Sequence, residues 1–259
     1  MLVTLALALI AFFIWWFEGR RPIADMPLSE RVLDYKVTLT NVAVTYGLSF
    51  VLPICSVHIV ALFGGSFFKL RADTWYWYLT SLVIYVVAGD LYKYWMHRLF
   101  HAVPALWEIH SFHHSAEAVT MITGARHHWM EGAVGAFFPL LSILFLIPPE
   151  IVLVGSLIIF FPDGCSHINF RFSSGRFVMW INTSQYHRIH HSDRPEHMHK
   201  NFAGALPLWD ILFGTAYRPA EDEFPETTGL PDGDKPKTIW EGLIWPFRKL
   251  RPALRIRGV

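Results

Sequence analysis

Long apolar stretches constrain this chain before anything else does. Leu2 to Phe17, about Leu39 to Phe63, about Trp75 to Met96 and Gly132 to Pro162 are each dominated by aliphatic and aromatic residues. A helix needs roughly 20 such residues to cross a bilayer. The sequence therefore predicts an all-α integral membrane protein with about four to five transmembrane or re-entrant helices. Only 17% of the 259 residues are charged, against about a quarter in an ordinary soluble domain, which argues the same way.

Leu2 to Phe17 is slightly short, but Trp15 and Trp16 precede Arg20 and Arg21. That order is the reverse of a signal peptide and reads as a first span whose C-terminal end is cytoplasmic. The second stretch holds Pro53 and His58 and stops at Gly64-Gly65. The third carries Asp90 and Lys93 near its end, so that turn should face protein or the aqueous boundary rather than lipid. The fourth breaks at Pro148-Pro149-Glu150, which predicts a helical hairpin with a short second half. By this count 97–131 and 163–259 share the cytoplasmic side as a helical, histidine-rich cap. A net charge of +1 gives no reason to expect nucleic acid as a partner. Cys55 and Cys165 are too few for a disulfide framework.

Fourteen histidines are many for such an apolar chain, and most fall in three clusters. His97 and His101 are four apart. His110, His113 and His114 give spacings of three and four, and His187, His190 and His191 repeat that pattern. Positions i, i+3 and i+4 share a helix face, so each cluster can aim its rings at a common point. Eight imidazoles exceed the four ligands that a zinc ion usually takes, which points to two metal ions. Imidazole suits zinc, copper, iron and nickel alike, so the spacing does not name the metal. There is no HExxH zinc-protease signature. His58, His197 and His199 stand outside the clusters and read as ordinary polar side chains, so His197→Ala is expected to be nearly silent.

The order HxxxH, HxxHH, HxxHH resembles the fatty acid hydroxylase/sterol desaturase superfamily of membrane di-iron enzymes. Asp90 to Arg98, Leu106 to His110, Asn201-Phe202-Ala203-Gly204 and Trp209-Asp210 to Thr215 are similar to that family's flanking motifs. The resemblance covers about residues 85–217. It divides the chain into N-terminal transmembrane helices over 1–84, a catalytic domain over 85–217 that includes the 132–162 hairpin, and a C-terminal tail over 218–259. A short amphipathic helix is expected in that tail around Ile239 to Leu250.

The resemblance implies two iron ions held by the eight clustered histidines, with zinc able to replace iron in purified protein. Arg126-His127-His128-Trp129-Met130-Glu131 resembles an RxHPxE stretch and adds His128 as a further metal ligand. His167, just after the hairpin, is added on the same ground. Glu108, Asp163 and Asp210 are candidates for orienting the imidazoles. The implied reaction is hydroxylation of a lipid C–H bond with O2 and two electrons, the lipid coming from the bilayer. Desaturation and alkylglycerol-type ether oxidation are the alternatives. A metal transporter or sensor could use the same clusters, but a transporter should place ionisable groups at the membrane midplane. No flavin or haem fingerprint appears, so electrons should come from a ferredoxin or a cytochrome b5-like protein with its reductase. Arg171, Arg176, Arg188, Arg194 and Lys200 form a basic set that suits either an acidic donor or anionic lipid heads.

Overall fold

The computed structural model describes residues 16–20, 22–62, 64–65, 69–135, 142 and 145–248. Its α-helices are α1 (Leu28–Leu62), α2 (Trp75–Ala102), α3 (Pro104–His114), α4 (Trp129–Gly135), α5 (Pro149–Cys165), α6 (Ser184–His190), α7 (Leu208–Leu212) and α8 (Ile239–Leu243). The β structure among the described residues is one isolated bridge, Ser192 with Thr228. The all-α expectation holds.

The membrane spans do not follow from the structure. Among the described residues no helix is long and apolar enough to cross a membrane. Polar groups dilute α2, which holds Asp90, Lys93 and two histidines, and α5 is only 17 residues long with Pro162 inside it. The first expected stretch lies outside the described residues apart from Trp16 and Phe17, as does most of 136–144 in the hairpin. The second expected stretch belongs to a longer helix that starts at Leu28 and runs through Pro53 without a break. The break at Pro148-Pro149 is where the sequence puts it, with Pro149 in the first turn of α5, where its missing N–H costs nothing.

α2 and α5 pack side by side around Tyr85, Ile151 and Ile159. Gly155 permits the approach: a Cβ there would lie 2.3 Å from the Tyr85 ring. Beside it, Tyr85 Oη and Ser156 Oγ are 3.0 Å apart. α1 lies against α4 and α8 on the other side of α3. The described C-terminal tail is irregular over 218–238 and then forms α8, shorter than the helix expected over Ile239 to Leu250. Trp245 is fully buried against Phe112 and donates its indole N–H to Ser111 Oγ at 2.8 Å. The last described segment therefore braces the back of α3, whose opposite side carries histidines.

Candidate metal centre

One proline sets the geometry of the first two clusters. His97 and His101 end α2 one turn apart, and Val103 then breaks the helix at φ −99° and ψ 116°. A residue before proline avoids helical geometry, and proline has no N–H to continue the hydrogen-bond run. Pro104 opens α3 at once, and His110, His113 and His114 follow toward its end. The corner turns the clusters face to face, with ring centroids 5.1 Å apart for His101–His110 and 4.8 Å for His101–His114. α6 supplies His187 and His190, with His191 as its C-cap. His167 comes just past the end of α5.

The imidazoles form two groups. Nitrogens of His97, His101, His110, His114 and His190 lie within 4.8 Å of one another, and so do nitrogens of His113, His167, His187 and His191. The expectation that each cluster aims at one point is therefore corrected. Neighbouring residues on a helix point about 100° apart, so His113 and His114 cannot share a target, nor can His190 and His191. In α3 the i,i+4 pair His110 and His114 joins the first group while His113 joins the second. In α6 the pair His187 and His191 joins the second group while His190 joins the first. Each HxxHH motif thus feeds both groups, which is why they lie side by side.

The second group fits a metal ion closely. Its Nε2 atoms stand 3.1–3.3 Å apart in five of the six pairs. Those are edge lengths of a tetrahedron whose corners lie about 2 Å from its centre, the metal–nitrogen bond length. A proton can bridge one pair of nitrogens, whereas a cation attracts all four lone pairs. In the first group the Nε2 atoms of His190 and His114 are 3.1 Å apart. The buried Nε2 atoms of His97, His101 and His110 have no hydrogen-bond partner among the described residues.

The outer nitrogens fix ring orientation. His97 Nδ1 faces Phe202 O at 2.9 Å, His190 Nδ1 faces Lys200 O at 2.8 Å, and His167 Nδ1 faces Asp163 O at 3.2 Å. A carbonyl only accepts, so each Nδ1 carries the proton and each Nε2 lone pair is left for a metal. His110 Nδ1 lies 3.0 Å from Glu131 Oε1. Burial pushes Glu131 up, but His110 and His127 beside it hold it well below the usual carboxylate range.

Burial, helped by crowding among the rings, holds His97, His101, His113, His114, His187, His190 and His191 well below the ordinary imidazole range. Burial lowers His167 to about 4. Neutral imidazole is the ligand form. The sign gives a prediction. Between about 6.5 and about 4 the unfolded chain binds a proton on His167 that the folded chain excludes, so stability falls as pH falls. Denaturant titration of metal-free protein should show this loss across that window. His167→Asn should show less of it.

The remaining sequence expectations divide. His128 is not brought to either group: its Nε2 faces Leu243 O at 3.0 Å. Its neighbour His127 joins neither group but lies against them, close to His110 and Glu131, 2.9 Å from Glu131 Oε1 and stacked on His113 at 4.4 Å between centroids. Asp163 acts through its carbonyl on His167 while its carboxylate pairs with Lys93 at 2.8 Å. Asp210 touches no imidazole group directly but accepts hydrogen bonds from the Phe202 and Ala203 amides. Glu108 O takes the Ser111 hydroxyl at 3.0 Å. Of the basic set, Arg188 is buried and donates to Pro225 O and Val119 O, so it is not a surface cation. Arg171 pairs with Glu226, and Arg194 lies 3.8 Å from Glu223.

His197 stays outside both groups, as expected. It is fully buried, 3.2 Å from Glu223 Oε1 and edge-on to Tyr217. His197→Ala should therefore lower stability by about 1–3 kcal/mol, through the cavity left by a fully buried ring packed on Tyr217. Thermal unfolding checks this, with metal content expected to stay at the wild-type level.

Residues 82–215 match the family model described as fatty acid hydroxylase, more than half of the chain. The chain belongs to the fatty acid hydroxylase family. Among curated proteins it is 31% identical to alkylglycerol monooxygenase of Danio rerio over 196 residues, 74% of this chain and 42% of that protein. It is 27% identical to ornithine lipid hydroxylase OlsE of Rhizobium tropici over 211 residues, 81% of this chain and 62% of that one. It is 25% identical to methylsterol monooxygenase 1-1 of Arabidopsis thaliana over 205 residues, 75% of this chain and 65% of that one. The chain thus matches less than two thirds of the length of each of these three relatives. No solved structure matches it. Both imidazole groups of this family member lie within the matched segment.

Proposed function

We propose that this protein is a membrane-bound di-iron oxygenase that hydroxylates a lipid C–H bond. The observation that carries the reading is the pair of all-histidine groups built from shared helices, in a chain whose relatives are named as lipid hydroxylases and monooxygenases. The overall change is R–H + O2 + 2 electrons + 2 protons to R–OH + water. Iron held there would supply O2 activation and C–H cleavage, the hard chemistry a protein borrows. His97, His101, His110, His114 and His190 would hold one ion, and His113, His167, His187 and His191 the other.

The protein's own work is orientation and exclusion. Carbonyls of Lys200, Phe202 and Asp163 fix three ring tautomers, and Glu131 fixes His110. Burial keeps the imidazoles neutral and shields the site from water. Leu79, Val83 and Val87 on α2 and Leu153, Leu157 and Phe161 on α5 expose aliphatic or aromatic surface, an apolar approach suited to a lipid phase. The site faces the cytoplasm in this reading. Electrons come from a ferredoxin or a cytochrome b5-like protein with its reductase. Arg171, Arg176 and Arg194 are the exposed cations left to receive it.

Turnover under 18O2 tests the reading. The hydroxylated lipid should carry label from the gas and none from labelled water. A desaturase would consume O2 and leave the lipid unlabelled. The match to alkylglycerol monooxygenase favours a second reading, hydroxylation next to an ether oxygen, for which the product would break down and release an aldehyde. Turnover that continues without oxygen would remove the protein from the oxygenase class.

A further inference from the structure

Two of the imidazoles in the first group depend on a loop, and the loop depends on two carboxylates that touch neither. We infer that Asp90 and Asp210 are positioning residues for the first metal ion alone, so that this ion can be lost while the second stays bound. The inference rests on the two-metal reading above.

The irregular stretch 200–206 supplies the carbonyls that face His190 and His97, those of Lys200 and Phe202. An irregular segment cannot hold its own carbonyls in place, so each must be fixed from outside. Asp210, fully buried, accepts from Phe202 N at 2.9 Å and Ala203 N at 2.8 Å. Its remaining acceptor sites take Thr215 Oγ1 at 2.6 Å and the Tyr186 hydroxyl at 3.0 Å. Asp90, also fully buried, accepts from Ala205 N at 2.8 Å, Leu206 N at 3.0 Å and Trp209 Nε1 at 2.9 Å. It lies seven residues before His97 on α2, two turns away on the same face. One face of α2 therefore meets the loop twice, at Asp90 and at His97. Asn201, at φ +58°, bends the loop between the two orienting carbonyls. Its side chain joins Tyr186 O to the Tyr217 backbone.

Among the described residues the rings of the second group take no orienting bond from this loop, although Asp210 and Asn201 also hold Tyr186, the residue before His187. His167 takes its orientation from Asp163 O, one helical turn back in its own segment. Among the described residues no loop carbonyl faces Nδ1 of His113, His187 or His191. Loosening 200–206 should therefore release His97 and His190 and leave His113, His167, His187 and His191 in place.

Asp210→Asn and Asp90→Asn are the variants. Each keeps the shape but turns one acceptor into an N–H donor facing backbone N–H groups, which the loop cannot satisfy without moving. Metal content of the full chain purified in detergent should fall from two ions to about one. The cobalt-substituted variant should keep the tetrahedral absorption of the second group. Adding His191→Ala should remove the remaining ion. A structural defect would instead lower both ions together and weaken the helical circular dichroism.

Should either aspartate variant fail to fold, Gly204→Ala serves. Its Cβ would meet Lys93 Cε at 3.0 Å and Asp90 Oδ1 at 3.1 Å, which crowds the loop against α2 with both carboxylates intact. It too should lose one ion. Folded variants that keep both ions, or lose both in equal measure, overturn the inference. Wild-type protein that binds no transition metal overturns the two-metal reading beneath it as well.

Discussion

Replacing His113 or His190 with alanine is expected to abolish turnover while leaving the helices intact. His113 belongs to the four-nitrogen group and His190 to the five-nitrogen group, so each change opens a different group. Losing an outer hydrogen-bond partner of a metal ligand already costs roughly 10–100-fold, and losing the ligand itself should cost at least that. Activity should fall by more than about 100-fold in either variant. The neighbouring imidazoles crowd one another in the absence of metal, so removing one ring relieves repulsion as well as opening a cavity. Helical circular dichroism should therefore stay near wild type. Metal analysis distinguishes the two variants from a general defect, since each should retain the ion of the group left whole.

Arg126→Met is expected to destabilise the fold by about 3–5 kcal/mol, the usual cost of removing one partner of a buried ion pair. Arg126 Nε lies 2.8 Å from Asp34 Oδ1, with both side chains 3% exposed. The guanidinium also donates to Phe112 O at 2.8 Å and lies over the Phe112 ring. Phe112 sits between His110 and His113, so the pair fastens α1 to the backbone that aims both rings. Burial pushes Asp34 up to about 6 even with Arg126 drawing it down. Without Arg126 the carboxyl can escape its penalty by taking a proton. The deficit measured by denaturant unfolding should therefore be largest at high pH, shrink as pH falls toward about 6 and level off below it, where the wild-type carboxyl takes a proton as well. A deficit that does not change with pH would assign the loss to packing on Phe112 rather than to the stranded charge.

The histidine spacing made the site legible because helical periodicity survives whatever surrounds it. His97, His101, His110, His113, His114, His187, His190 and His191 all reach the two groups, and His167 joins them from outside any cluster. Spacing did not reveal how the motifs divide, since that follows from the 100° step between adjacent residues and the corner at Val103. Choosing His128 over His127 rested on motif position, while burial against Leu243 O decides its place. Glu131 could have been found by asking which carboxylate lies near His127 on a short helix.

Asp90 was legible as a charge too costly for lipid, but its partners in 205–209 lie more than a hundred residues away. His197 gave no signal, because nothing local marks a histidine as fully buried. Hydropathy read the helices but not their limits: α1 begins eleven residues before the apolar stretch, and α2 runs on through His101.

The most direct measurement is the metal content of active protein. Full-length chain purified in detergent after iron-supplemented expression should hold about two transition-metal ions, one for each imidazole group, with activity rising in proportion to iron. Zinc in place of iron should leave the count at two and the protein inactive, since affinity alone does not select iron. His113→Ala and His190→Ala should each reduce the count to about one. Active protein carrying no transition metal, or full occupancy retained after both histidines are removed together, would contradict the account.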